Sequence, residues 1–329
     1  MSYEEVEKLL SRIQGRSILS DQSIWNRVTQ RADSISEQLS QDVEEILKSN
    51  QTVTIEVNSD VDIYDSNETE ILLFDDGIQV KGQQEYRRKS RNAEGVDILP
   101  SQEDYTKAPR VNTDVVILEK APGDFEYIVA PLVDDENTRP SLVEVIKAKV
   151  IQAYGHQETP LNIVAITDGA KAIRLRLLSI FTSAVVIILD WYHLGKKVRE
   201  LMSMIARNKQ EKSDHLKFLF YHLWRGETQV VIEYLQQNVK AKNLDKLNEL
   251  LRYIQKHETE IINYERRQKA GKTIGSGRAE KGVDRVVGYR QKKKGMSWRT
   301  LGSHSLALLK VLELNGQWQQ FWFPNASVT

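Results

Sequence analysis

The chain has 329 residues, 40% of them apolar, enough to bury a core as one large or two to three small domains. Lysine plus arginine equals aspartate plus glutamate at 46 each, so net charge points to no partner, although the charges are unevenly placed. There is no cysteine, which excludes disulfides, thiolate catalysis and cysteine-based zinc sites.

The start, MSYEEVEKLL, is acidic and amphipathic, unlike a signal peptide. The longest wholly apolar run, 184–189, is far short of the roughly 20 residues that cross a bilayer. A cytoplasmic protein without a membrane partner is expected. Within residues 1–50, Val6, Leu9, Leu10 and Ile13 share one helical face, Gly15 breaks the pattern, and Ser20 can cap a second helix over 21–32. A third segment repeats Ile35, Leu39, Val43, Ile46 and Leu47 at three- and four-residue intervals. Three short helices suit a helix-turn-helix DNA-binding segment that offers Gln22, Asn26, Arg27, Gln30 and Arg31 to a groove. A helical hairpin packed on the main domain fits equally well, and nine acidic against six basic side chains do not favour DNA here.

Residues 51–69 read as an acidic linker; 51–76 carry eight acidic and no basic side chains. The run 70–80, EILLFDDGIQV, reads as a strand with Asp75 and Asp76 near its middle, although Asp-Gly can also mark a turn. Residues 81–110 read as a long loop with a basic cluster of Arg87, Arg88, Lys89 and Arg91. Two β-runs, 111–119 and 125–132, flank a hairpin turn at Ala-Pro-Gly-Asp. A helix over 141–154 has Leu142, Val145, Ile146, Val150 and Ile151 as its stripe.

Next comes a strand–helix–strand unit: an apolar run at 161–167, helical spacing over 169–181, and a second apolar run at 184–189. Such runs predict parallel strands buried on both faces, with sites at their carboxyl ends, where Asp168 and Asp190 fall. Either aspartate could instead be a helix cap, Asp190 the more readily, since it opens the helix carrying Trp191, Tyr192 and His193. Residues 200–270 lack any strand pattern and predict four or five helices, with Leu216, Phe220 and Leu223, then Leu247, Leu250, Leu251 and Ile254, at helical spacing. Residues 266–299 hold twelve basic and two acidic side chains, a field that attracts phosphate backbones. A helix over 299–314 is expected to turn Leu306, Leu309 and Leu312 inward, and Trp318, Phe321, Trp322 and Phe323 to cover the core.

The order β, β, β, α, β, α, β, with acidic residues on the first strand and after the fourth, predicts an α/β, ribonuclease H-like mixed sheet. In that fold carboxylates meet at the sheet centre and hold two Mg²⁺ ions for phosphodiester chemistry. Asp76 and Asp168 would supply two ligands. Glu280 is the candidate third, at the edge of a helical stripe of Ala279, Val283, Val286 and Val287, although it could also be an N-terminal helix residue favoured by the dipole. Ser276 reads as the cap of that helix. Asp75 competes with Asp76, since neighbours on a strand face opposite ways. Arg285, Arg290, Lys292, Lys293 and Lys294 read as a phosphate-holding run.

The phrases ITDGAKAI, ILDWYHL, IGSGRAEKGVDRVVGYRQKKKGMSW and LNGQWQQFW resemble those of bacterial insertion-sequence transposases of the ISKra type, relatives of the Mutator-like DDE group. The resemblance spans roughly 70–323. It implies a ribonuclease H-like catalytic domain over 70–199 and 271–329, interrupted by an all-helical insertion at 200–270. It also implies Asp76, Asp168 and Glu280 as catalytic and metal ligands for Mg²⁺ or Mn²⁺, with Asp190 and His193 either supporting the metal site or orienting DNA, or simply capping and packing. The implied partners are transposon-end and target DNA, with a homo-oligomer assembling on DNA at the bacterial nucleoid. Many relatives carry a cysteine-rich N-terminal segment, which this chain lacks. A catalytically silent DNA-binding remnant, or a nuclease on the same fold, would share these features.

Overall fold

The structure is a computed structural model that describes residues 2–50, 55–83, 90–91, 97–98, 109–134, 136 and 138–323. Arg87, Arg88 and Lys89 of the basic cluster lie outside the described residues, as do 51–54 of the linker. The protein is α/β. Its strands are β1 (Ile71–Lys81), β2 (Ser90–Arg91), β3 (Asp97–Ile98), β4 (Arg110–Ala121), β5 (Asp124–Ile128), β6 (Ile163–Thr167) and β7 (Val186–Leu189). Five of them form one mixed sheet in the order β5-β4-β1-β6-β7; β2 and β3 pair separately. β4 runs antiparallel to β1 and β5, whereas β6 runs parallel to β1 and β7. The hairpin turn between β4 and β5 is made by Gly123 at φ +77°, a conformation glycine adopts without Cβ strain.

The N-terminal segment differs from the three-helix expectation. α1 (Tyr3–Gln14) is capped reciprocally by Ser2 and Glu5 and ends at Gly15, and α2 (Asp21–Ser49) starts at the Ser20 cap and continues unbroken to residue 49. No glycine or proline interrupts 21–49. Ala32, Ile35, Ser36, Ser40 and Val43 continue one buried stripe through the position where a turn was expected. The result is a helical hairpin whose long arm packs on the sheet's helices. Gln22, Asn26, Arg27, Gln30 and Arg31 are exposed along it, with Arg31 5.2 Å from the Trp322 ring.

The sheet separates its alternate side chains into two cores. Leu73, Val116, Leu118, Ile163 and Ala165 face α3 (Leu142–Tyr154), α4 (Lys171–Phe181) and the end of α2. Phe74, Ile117, Val164, Ile166 and Ile188 face α5 (Trp191–Ile205) and the helices that follow. These are α6 (Lys209–Leu223), α7 (Thr228–Asn238), α8 (Leu244–Lys256) and α9 (Tyr264–Lys269). In α6 the fully buried positions are Leu219 and Leu223; Leu216 and Phe220, expected inward, are only half-buried. The chain returns to the sheet where the Glu260 carbonyl accepts the Leu189 N–H and where buried Arg267 forks onto Glu70.

The last part holds α10 (Gly277–Val283), a π-helical turn (Asp284–Gly288), α11 (Tyr289–Gln291), α12 (Thr300–Leu314) and α13 (Trp318–Trp322). α12 buries Ala307, Leu308, Val311 and Leu312, with Leu306 and Leu309 at the edge of the stripe instead of its centre. α13 buries no residue fully, but Phe321 packs half-buried on the core, so the aromatic tail covers it in part as expected, with Trp318 and Phe323 exposed. No helix among the described residues is long and apolar enough to cross a membrane.

Candidate functional site

Asp75 and Asp76 are separated by strand alternation. Asp75 pairs with Thr167 across the parallel β1–β6 junction, which brings the next residues, Asp76 and Asp168, alongside each other where β6 ends. Asp75 is fully buried and points to α4, where Arg176 Nη1 donates to Oδ1 at 2.9 Å and Oδ2 at 2.8 Å while Nη2 holds Asp114. Burial pushes Asp75 up to about 7, Arg176 opposes this, and Asp114 adds to it. Asp76 lies on the opposite face and accepts the Gly77 N–H at 2.8 Å. Burial lifts it to about 6; Asp168 and Glu280 push the same way, and the Gly77 N–H and His193 push back. Asp76 therefore shares a field with Asp168, Glu280 and His193, whereas Asp75 is engaged elsewhere.

Asp168 is not a helix cap. α4 begins after Ala170 without a side-chain cap, and Asp168 Oδ1 accepts the Ala170 N–H at 2.8 Å in a local turn. Gly169 makes that turn at φ +82°, and a Cβ there would lie 2.7 Å from His257 Cε1 and 2.8 Å from Leu189 Cδ1. The His257 ring thus seats the turn. Its Nδ1 meets Glu260 at 2.5 Å, and Glu260 also holds Arg174 of α4 at 2.5 Å.

Asp190 does cap its helix, accepting the His193 N–H at 2.7 Å, and its second oxygen accepts the Ser276 N–H. Burial alone would raise this carboxyl, but the bonds from His193 and Ser276 outweigh it and hold Asp190 at about 2. His193 Nδ1 lies 3.5 Å from Asp190 Oδ1 and has no hydrogen-bond partner among the described residues, and Asp190 biases the imidazole toward its charged form against the effect of burial.

Ser276 contributes its backbone and makes no side-chain cap. Next to it, a Cβ on Gly275 would lie 2.7 Å from the Tyr192 ring, so the turn into α10 passes hard against α5. Along α10 and the π-turn, Ala279, Val283, Val286 and Val287 are buried, and Glu280 is exposed beside them. Gly282 lets this helix press on the sheet: a Cβ there would be 2.5 Å from Ile117 Cδ1.

Among the described residues, no three histidine or carboxylate groups are gathered at one point as in a formed metal site. Asp76 feels the charges of Asp168 and Glu280, and among the described residues no lysine or arginine forms an ion pair with any of the three. The basic run divides. Arg285, Lys292, Lys293 and Lys294 are exposed, but Arg290 is half-buried between Tyr3 and Trp298, 5.8 and 5.4 Å from their rings, with Nη1 buried and without a hydrogen-bond partner among the described residues. Trp298 bridges to Gly82, just past the end of β1 and six residues beyond Asp76, which puts Trp298 roughly 20 Å along the strand from that carboxylate.

Sequence reasoning did not find Arg176, or the His257–Glu260–Arg174 chain behind Asp168. These join residues 62 or more positions apart, or, for His257, lie in a helical stretch with no motif of its own. Comparison with family models, curated proteins and solved structures returned no match.

Proposed function

We propose that this protein is a DDE-type DNA transposase that cuts phosphodiester bonds at element ends and joins the freed 3′-hydroxyl to target DNA. The supporting observation is the side-by-side emergence of Asp76 and Asp168 from adjacent central strands, in the same field as Glu280 and with no lysine or arginine ion pair among the described residues. The sheet order β5-β4-β1-β6-β7, with β1 central and β4 antiparallel to it, agrees with a ribonuclease H-like fold.

The donor set suits Mg²⁺ or Mn²⁺ by chemistry: three carboxylates, oxygen donors that hard cations prefer, two of them using one oxygen for a single backbone N–H. Two bound ions would supply an activated water or hydroxyl and stabilise the leaving oxygen. Asp76 and Asp168 are held by strand and turn, and Glu280 stands on an exposed helix edge. Asp190 ties the start of that helix to β7 and so sets where Glu280 can reach. The exposed Arg285 and Lys292–294 hold phosphates at a distance from the reacting bond, and DNA-bound copies form the active oligomer.

Purified protein incubated with Mg²⁺ or Mn²⁺ and labelled DNA bearing the terminal sequences that flank its coding region should give nicked and joined products. Nicks without joining would mark a nuclease, and intact DNA a catalytically silent chain.

A further inference from the structure

The exposed side of α10, the π-turn and α11 carries cations and an aromatic ring that the carboxylate site does not use. Arg278, Lys281, Arg285, Tyr289 and Lys292 are all exposed along it. In an unbroken α-helix, positions four apart drift by about 40° per step, because each residue turns about 100°. The wider π-turn lies between Lys281 and Tyr289 and cancels most of that drift, so Lys281, Arg285 and Tyr289 fall in one row. The Asp284 carboxylate lies back over Gly288, where a Cβ would have to push it aside.

The row has an aromatic ring at each end. Tyr289 is 66% exposed, and Tyr192, whose ring rests on Gly275 two residues before α10, is 63% exposed. Among the described residues neither ring has an aromatic, cationic or hydrogen-bonding partner. Among the described residues Lys281 and Lys292 form no ion pair, and Arg285 makes one hydrogen bond, to Tyr127 Oη at 3.5 Å.

Cations alone serve a duplex, whose base faces are hidden. Exposed rings interleaved with cations instead serve a strand whose bases are free to stack. We infer that this row is a track for single-stranded DNA, with phosphates on Lys281, Arg285 and Lys292 and bases on Tyr289 and Tyr192. The inference rests on the reading of the protein as one that acts on DNA, and adds that the strand leaving the carboxylate site is held unpaired.

The test is fluorescence anisotropy of the full chain with a labelled short single strand and with the duplex of the same sequence, in EDTA, across a salt series. The wild type should bind the single strand more tightly. Tyr289→Ala should weaken single-strand binding about 5- to 150-fold, leave duplex binding nearly unchanged and keep the salt slope, while Tyr289→Phe should bind like wild type. Lys281→Ala with Arg285→Ala should flatten the single-strand slope by about 0.7 per lost contact. Melting temperatures of each variant control for misfolding, and Tyr192→Ala gives an independent second ring. A wild type that prefers duplex, or a folded Tyr289→Ala that weakens both forms equally, overturns the track. Nicking activity is scored separately: cleavage without a Tyr289 effect removes the track and leaves the transposase reading, and single-strand binding without cleavage does the reverse.

Discussion

Asp190 joins two helices through one carboxylate: Oδ1 accepts the His193 N–H at the start of α5, and Oδ2 accepts the Ser276 N–H just ahead of α10. Both are buried or nearly so, and water cannot replace either bond cheaply. Asp190→Ala should cost about 2–4 kcal/mol in urea unfolding, the sum of a lost cap and an orphaned buried N–H. Because the folded carboxyl is held at about 2, below its unfolded value near 3.9, its contribution is present above about pH 4 and lost as pH falls toward 2. Wild type should therefore lose about 2 kcal/mol more than Asp190→Ala between pH 4 and 2. Parallel acid-unfolding curves for the two proteins would defeat this.

The two neighbouring aspartates of β1 should respond in opposite ways. Asp75→Asn leaves the half-buried Arg176 with Asp114 alone and should destabilise the fold by about 1–3 kcal/mol at pH 5, and by less at pH 8, because burial raises the Asp75 carboxyl to about 7 and its contribution is lost as pH rises through that value. Asp76→Asn removes a carboxyl that burial raises to about 6, so the stability this group contributes is complete below about pH 4 and lost as pH rises through 6. At pH 8 Asp76→Asn should be more stable than wild type by about 1–2 kcal/mol, after allowing for partial solvation, and it should not nick DNA. Chemical denaturation at pH 5 and pH 8, with a nicking assay, checks both statements.

Much of the fold was legible where local pattern and burial coincide. The apolar runs of β6 and β7, the Ser20 cap and the Pro-Gly turn before β5 are all local signals. The break expected within α2 does not occur, because a change of amphipathic phase does not end a helix that lacks a glycine or proline and gains burial on both sides. At the site, the sequence left Asp75 and Asp76 as alternatives, since strand alternation separates them but only the position of α4 says which face holds Arg176. The inward turn of Arg290 was equally hidden: it sits in a basic run, and its neighbours Tyr3 and Trp298 come from distant parts of the chain.

Gly169 is the backbone position on which Asp168 depends. Gly169→Ala must adopt φ +82° and push its methyl into His257 and Leu189, so it should cost about 2–5 kcal/mol. Nicking should fall further than stability predicts, because the displaced turn carries Asp168. A variant that melts like wild type in urea and nicks at the wild-type rate would show that the turn has another way to close.

Lys292, Lys293 and Lys294 differ from Arg290 in what they touch, and their substitutions should separate binding from folding. The lysines are exposed, so replacing all three with alanine should leave stability within about 0.5 kcal/mol while weakening DNA binding across all sequences. Each lost phosphate contact should flatten the duplex salt dependence by up to about 0.9 log units. Arg290 lies between the Tyr3 and Trp298 rings, and Arg290→Ala should instead lower stability by about 1–2 kcal/mol and loosen α1, with a small effect on the salt slope. Asp168→Asn provides the complementary loss: it should end cleavage yet leave binding intact or tighter, because it removes a metal-holding oxygen and a negative charge near phosphate. All three variants can be measured on one terminal DNA fragment by anisotropy, nicking and thermal melting. A triple-lysine variant with an unchanged slope would refute the clamp, an Arg290→Ala protein that melts like wild type would refute the packing role, and an Asp168→Asn protein that still nicks would refute the catalytic one.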